Sequence, residues 1–296
     1  MSPRKRLDIL LADDGSQHAQ AAVELLQQIP HPQKSRILVY RAFNSGQIPL
    51  IPEMERSLER TRSQLSDAGF QVEVELQLYP PVEGILERAQ DRHPALIVLG
   101  AKGLRSTASI LLGGVAQHVV EHACCPVLIV RAPFAGLHRI LLVTDGSPSS
   151  QTAARYLGKL SLSEKPEIHI MHVLPPNRPA VVLEPYYGAW QTVYVAYPTA
   201  EAEEKLRRNE RKAGEALLER TCRLLQRHGI EPTKVLVRGD AATEIIDYAH
   251  QNAIDLIVAG SRGLNQFRSL LMGSVSRKLV HYSDCSVLIV KLPGKE

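Results

Sequence analysis

The sequence predicts an α/β protein built as two tandem, doubly wound domains, each with a five-stranded parallel sheet in the order 3-2-1-4-5. Three observations carry that reading. The opening run Leu7 to Ser16 (LDILLADDGS) returns as Arg139 to Ser147 (RILLVTDGS), a repeat that maps Asp14 onto Asp145, 131 positions later. Gly100, Gly103 and Gly113 map onto Gly260, Gly263 and Gly273, and Pro126 to Val130 onto Ser286 to Val290, all 160 positions later. Between these landmarks short apolar runs alternate with longer stretches of helical periodicity, the pattern of βαβ units and a parallel sheet.

In chain order, the first copy places its strands near residues 7–12, 36–42, 71–78, 95–99 and 127–131, and the second near 139–144, 167–174, 233–238, 254–259 and 286–291. Helices fill the intervals. Right-handed crossovers put them on both faces of a Rossmann-like sheet, with a ligand crevice beyond the carboxyl ends of strands 1 and 4, where strand order reverses. The Asp145 turn and the Gly260 loop are expected to meet in it. The first domain spans residues 1–133 and the second 137–296. The second copy is longer by 29 residues, the difference between the two offsets, and the insertion falls near 175–198. It gathers Tyr186, Tyr187, Trp190, Tyr194 and Tyr197 in a chain with only 5% aromatic residues, which suits a lid, a contact surface, or a loop folded on its own domain. Both fifth strands are short and strongly apolar, so an exposed edge there would invite pairing. They are expected to pair with each other, making the chain an internal pseudo-dimer.

Composition excludes several classes. With 44% hydrophobic and 22% charged residues, and no apolar run near the roughly 20 residues that cross a bilayer, no membrane span is expected. The basic N-terminus is followed by an apolar run of only Ile9 to Ala12, so no signal peptide is predicted. Four cysteines, Cys124, Cys125, Cys222 and Cys285, make no disulfide framework, which favours a cytoplasmic protein. The net charge of +4 is spread along the chain, and no nucleic-acid partner is expected. In the densest charged run, Glu203 and Glu204 precede Arg207 and Arg208 by four residues, the order that suits a solvated helix face.

The chemistry centres on Gly260-Ser-Arg-Gly263, nine further residues, then Gly273-Ser274, all directly after the apolar run Asp255 to Ala259. A buried strand feeding a glycine loop that opens a helix presents backbone N–H groups to an anion, and phosphate is the obvious guest. On this reading Gly260 and Gly263 let the main chain come close and take positive φ, Arg262 adds charge, and Ser274 caps the helix and donates to a phosphate oxygen. The same spacing also suits a plain βα turn ahead of a capped helix.

With both copies laid out, the chain resembles the universal stress protein family in its tandem two-domain form, over essentially its whole length. ATP-binding members carry Gly, two residues, Gly, nine residues, Gly and then Ser or Thr after the fourth strand, and Gly260, Gly263, Gly273 and Ser274 meet every position. The resemblance implies ATP, with or without Mg²⁺, as the ligand. It implies that Asp145 faces the adenosine, that Thr144 and Val173 line the adenine slot, and that Gly239 lies near the ribose. The first copy keeps Asp14, Gly100, Lys102, Gly103 and Gly113 but has Gly114 where the second has Ser274, and Tyr79-Pro80-Pro81 where the second has Gly239. Loss of one hydroxyl contact costs about 1 kcal/mol, and the Tyr79 ring is expected to fill the slot. ATP binding is therefore expected mainly in the second domain, with a weak site at most in the first.

Other chemistry finds little support. No Gly-Lys-Ser/Thr follows either loop, and no water-positioning residue or Mg²⁺ carboxylate is evident, so at most slow ATP hydrolysis is expected and no catalytic residue is assigned. The His-Ile-Gly-His and Ser-Gly-Gly-x-Asp-Ser signatures of adenylating enzymes do not occur. His118-Val-Val-Glu-His122 matches a zinc-peptidase pattern, but the second copy reads Lys278-Leu-Val-His-Tyr282 there and no third ligand is recognisable, so no metal site is expected. Cys125 and Cys285 read as small buried hydrophobes, and Ser16 and Ser147 as helix N-caps. The sequence thus points to an ATP-binding stress-response regulator or protective factor, paired as a homodimer through edge strands or the aromatic insertion. A nucleotide-free scaffold and a slow ATPase are the alternatives.

Overall fold

The computed structural model describes residues 7–29, 31, 35–104, 112–160, 165–176, 182–183, 195–196, 199–263 and 272–292. The first half runs β1 (Asp8–Ala12), α1 (Gln17–Gln28), β2 (Arg36–Phe43), a 3-10 turn (Ser45–Leu50), α2 (Ile51–Asp67), β3 (Gln71–Leu78), α3 (Pro81–Arg92), β4 (Leu96–Gly100), α4 (Gly114–His122) and β5 (Val127–Val130). The second runs β6 (Arg139–Val143), α5 (Pro148–Lys159), β7 (Glu167–Leu174), the short pair β8 (Val182–Leu183) and β9 (Val195–Ala196), α6 (Ala200–Gln226), β10 (Thr233–Arg238), α7 (Ala241–Gln251), β11 (Leu256–Gly260), α8 (Ser274–Tyr282) and β12 (Ser286–Val290). Apart from β8 and β9, which pair with each other, the aromatic insertion lies outside the described residues, as do its Tyr and Trp side chains.

Ten strands form one sheet in the order β10-β7-β6-β11-β12-β5-β4-β1-β2-β3. Each half therefore has the expected 3-2-1-4-5 order. Every pairing is parallel except the central one, where β12 runs antiparallel to β5 with Leu288 opposite Leu128. The fifth strands do pair within the chain, as their apolar sequences require, and every residue of both is buried. That pairing occupies the fifth-strand edges within the chain. The outer edges of the sheet are β3 and β10.

Helices cover both faces, so the inner strands are apolar throughout rather than alternating. Leu11, Val39, Val98 and Leu128 pack with α1 and α2, and their counterparts with α5 and α6. Leu10, Ile97, Leu99 and Ile129 point the other way, against α3 and α4, with α7 and α8 completing that layer. Helix starts are set by local polar groups: Ser16, Ser147, Thr199 and Asp240 each accept a backbone N–H from the first turn of their helix. The charged run at the start of α6 forms the expected i,i+4 pairs, Arg207–Glu203 at 3.6 Å and Arg208–Glu204 at 3.5 Å.

Candidate functional site

In each half the strand order reverses between the first and fourth strands, the place where a doubly wound sheet sets its crevice; residues 264–271 of the second loop lie outside the described residues. In the second, the chain leaves β6 at Val143 and turns through Asp145 and Gly146, whose φ of +81° favours glycine. Ser147 accepts the Ser150 N–H at 3.2 Å and donates its hydroxyl to the Arg262 carbonyl at 3.3 Å. Ser149 Oγ accepts the Arg262 N–H at 3.2 Å. Both polar groups of the Arg262 backbone are thus held by the first turn of α5, which brings the Asp145 turn and the Gly260 loop together as expected. The Gly273 N–H donates to the Ser261 carbonyl at 2.8 Å, folding the far end of the loop back beside its start. Ser276 Oγ donates to the Gly260 carbonyl at 2.7 Å.

Two expectations about this loop need correction. Gly260 and Gly263 do not take positive φ; that conformation falls to Gly146 and, in the first half, Gly15 at +79°. The loop glycines are required by close approach instead. A Cβ on Gly260 would lie 2.6 Å from the Ser149 carbonyl carbon, and one on Gly263 would lie 2.9 Å from Asp145 Oδ2. Ser274 does not cap α8. Gly273 occupies the cap position without a side-chain bond, and Ser274 is the first helical residue, exposed and pointing its hydroxyl to no described partner. Gly260→Ala is expected to cost about 1–3 kcal/mol, because backbone of α5 must move. Urea unfolding beside Gly273→Ala, whose added Cβ meets nothing closer than 3.5 Å, checks this.

Thr144 is buried at the end of β6; its N–H donates to the Met171 carbonyl at 2.9 Å and its own carbonyl accepts His172 Nδ1–H at 2.8 Å. Val173 follows, half-buried, on β7. Gly239 directly follows β10 and donates its N–H to the Leu174 carbonyl at 3.1 Å. These residues mark the strand ends bordering the crevice.

The first half repeats the frame. Asp14 Oδ2 accepts the Leu104 N–H at 3.2 Å, Ser16 Oγ donates to the Lys102 carbonyl at 3.0 Å, and the Gly113 N–H donates to the Ala101 carbonyl at 2.8 Å. Here the crevice opens into a cavity of about 600 Å³, lined by Asp14, Gly100, Gly103, Gly113 and Gly114 on one side and by Ala42, Met54, Ile85 and Leu99 on another. Tyr79 does not fill it. Its hydroxyl donates to Glu87 at 2.8 Å, and the ring is absent from the cavity wall, so the steric reason for a closed first site fails. At Gly114 an added side chain would meet nothing within 4 Å, so the missing hydroxyl leaves open space.

Two features escaped the sequence reading. Asp13, where the second copy has Thr144, forms a buried ion pair with Arg41 at 2.8 Å; Asp13 also accepts from Gly15 N–H at 2.7 Å and Thr61 Oγ1 at 2.9 Å. The signal was a charged residue inside the apolar run 36–42, beside a doubled Asp13-Asp14. The second is His18, whose Nδ1 accepts the Ala132 N–H at 2.9 Å. Burial holds His18 below the usual imidazole range, with Lys102 and Arg131 pushing the same way and the Val130 backbone and Asp14 opposing. Because its folded pKa lies below the unfolded value, the unfolded chain binds more protons in that window and stability falls as pH drops below about 6.5. His18→Gln is expected to flatten the decline between about pH 7 and pH 5 in thermal unfolding.

The rings of the zinc-like pattern bond to their own helix: His118 Nδ1 faces the Gly114 carbonyl at 2.8 Å and His122 Nδ1 the His118 carbonyl at 2.9 Å. Burial pushes the Cys125 and Cys285 thiols up to about 12, which leaves both protonated and unreactive at neutral pH.

Together these elements define a tandem α/β protein with a glycine-loop crevice at the switch point of each half. The chain belongs to the universal stress protein family, whose model matches residues 6–131 and again 136–291. A universal stress protein of Mycobacterium tuberculosis is 22% identical over 320 residues, covering 98% of this chain and 98% of that one. One from Bacillus subtilis is 29% identical over 154 residues, 52% of this chain and 99% of its own. Among solved structures, a universal stress protein from Archaeoglobus fulgidus superposes with a TM-score of 0.62 at 21% identity, covering 96% of each chain. No helix among the described residues is long and apolar enough to cross a membrane.

Proposed function

We propose that this universal stress protein binds ATP in the crevice of the second domain and acts as a nucleotide-dependent stress-response regulator in the cytoplasm. The observation that carries the reading is the Ser261–Gly263 turn, fixed by both backbone groups of Arg262 to the first turn of α5 and joined by the Ser261 carbonyl to the N–H of Gly273, the residue before the exposed Ser274 that starts α8. The Ser261, Arg262 and Gly273 N–H groups hold this frame together, which leaves the first-turn N–H groups of α8, not capped by a side chain, and the Ser274 hydroxyl to meet phosphate oxygens at little ordering cost. Asp145, Thr144, Val173 and Gly239 would hold the adenosine, and Gly260, Arg262, Gly263, Gly273 and Ser274 the phosphates. The division at residues 133 and 137 belongs to the same reading. So does a homodimer, through the outer edge strands β3 and β10 or the aromatic insertion, since the fifth strands are occupied.

The first-domain cavity favours a second reading, in which Asp14, Gly100, Lys102, Gly103, Gly113 and Gly114 serve a further ligand. Its volume falls within the ordinary range of small-molecule sites. Calorimetric titration with ATP distinguishes the two: binding that survives Gly113→Val but not Gly273→Val supports the second domain, and the reverse supports the first. No heat and no competition in either protein would remove the nucleotide reading and leave a scaffold.

A further inference from the structure

The two crevices are joined by a pair of contacts that cross the domain interface at matched positions. In each half the residue that opens the glycine loop bonds to the last residue of the fifth strand: Ala101 N–H donates to the Val130 carbonyl at 2.8 Å, and Ser261 N–H to the Val290 carbonyl at 3.0 Å. The next residue along each strand then reaches into the other domain. Arg131 Nη2 donates to the Val280 carbonyl at 2.9 Å, in the last turn of α8. Lys291 Nζ donates to the Val120 and Glu121 carbonyls, at 2.6 and 3.3 Å, in the last turn of α4. Those carbonyls have no donor within their own helix and carry the negative end of its dipole, so a cation is the fitting cap.

Each capped helix starts at the opposite crevice. Helix α8 opens at Gly273 and Ser274 of the second site, and α4 at Gly113 and Gly114 of the first. Arg131 and Lys291 are 160 residues apart, as are Val120 and Val280, so the connection runs both ways. Arg277 of α8 also approaches Glu121 of α4 at 3.6 Å.

We propose that the two crevices are coupled through the Arg131 and Lys291 caps, so that a phosphate-bearing ligand in the second domain stiffens α4 and strengthens binding in the first. This rests on reading the second crevice as a nucleotide site. The sign follows from the charges around Lys291. Burial lowers its pKa to about 8 and the Arg262 cation on the second loop adds to that, while the Glu121 carboxylate opposes it. An anion bound beside Arg262 offsets its repulsion, favours the charged amine, and tightens its hold on the end of α4.

The test is amide hydrogen exchange at pH 8 in a Gly113→Val background, which keeps ATP out of the first crevice. Saturating ATP is expected to slow exchange in α8 and, remotely, in the last turn of α4, the latter by about 5-fold. Lys291→Met should keep the α8 response and lose the α4 response, and Lys291→Arg, charged with or without a bound anion, should keep the end of α4 protected in both states. Slowing in α8 with none in α4 would overturn the coupling, as would an α4 response that persists in Lys291→Met. If neither helix responds to ATP, the nucleotide reading of the second crevice fails and the coupling falls with it. A merely structural Lys291 would speed α4 exchange equally with and without ATP, which also counts against the proposal.

Discussion

Replacing Asp13 with alanine is expected to destabilise the protein by about 3–5 kcal/mol. Asp13 and Arg41 have side chains exposed by only 3% and 5%, so each depends on the other for its charge. Removing the carboxylate leaves the guanidinium with the Asp13 carbonyl at 2.7 Å and Ser57 Oγ at 3.4 Å, neither of which neutralises it. The Thr61 hydroxyl and Gly15 N–H lose their acceptor as well. The paired change Asp13→Thr with Arg41→His copies Thr144 and His172 of the second domain and should recover most of the loss, because the charge is removed with its partner. Urea unfolding of the two variants beside the wild type decides it. A loss below about 1 kcal/mol for Asp13→Ala would mean that Arg41 finds water or another acceptor.

Gly273→Val is expected to weaken ATP binding at least about 100-fold, or about 2.8 kcal/mol, while leaving the fold in place. At φ −63° and ψ 154° the residue occupies a region valine adopts freely. Its Cβ would sit 3.5 Å from Arg262 Cα and the Ser261 carbonyl oxygen, in ordinary contact. The two methyl groups then project over the loop, where a phosphate would approach the backbone. Circular dichroism and unfolding should match the wild type; an equal loss of binding and of stability would show that the glycine serves packing instead.

These two cases mark what could be read from the chain and what could not. The strands were legible because helices on both faces force continuous apolar runs, and the repeat showed that the two halves share one arrangement by placing the same landmarks twice. Pairing of β5 with β12 followed from VLIV in each copy, since neither could be left as an edge. The glycines were recognised, but their physical need was misassigned: the turn glycines Gly15 and Gly146 take the left-handed conformation, whereas Gly100 and Gly260 make room for a helix. That distinction depends on how closely α1 and α5 approach the sheet, which periodicity does not encode. Tyr79 misled for a similar reason. Its position after β3 was right, yet a hydrogen bond to Glu87 on α3 turns the ring aside. The Arg131 and Lys291 caps left a trace, a basic residue after each fifth strand, but their targets lie across an interface.

The central claim is that the second crevice holds an adenine nucleotide. The most direct measurement is the nucleotide content of freshly purified protein, denatured and resolved by ion-pair chromatography, for the wild type, Gly273→Val and Gly113→Val. The account predicts adenine nucleotide approaching about one equivalent per chain in the wild type, retained in Gly113→Val and lost in Gly273→Val. Nucleotide retained in Gly273→Val and lost in Gly113→Val would move the site to the first domain and contradict the account.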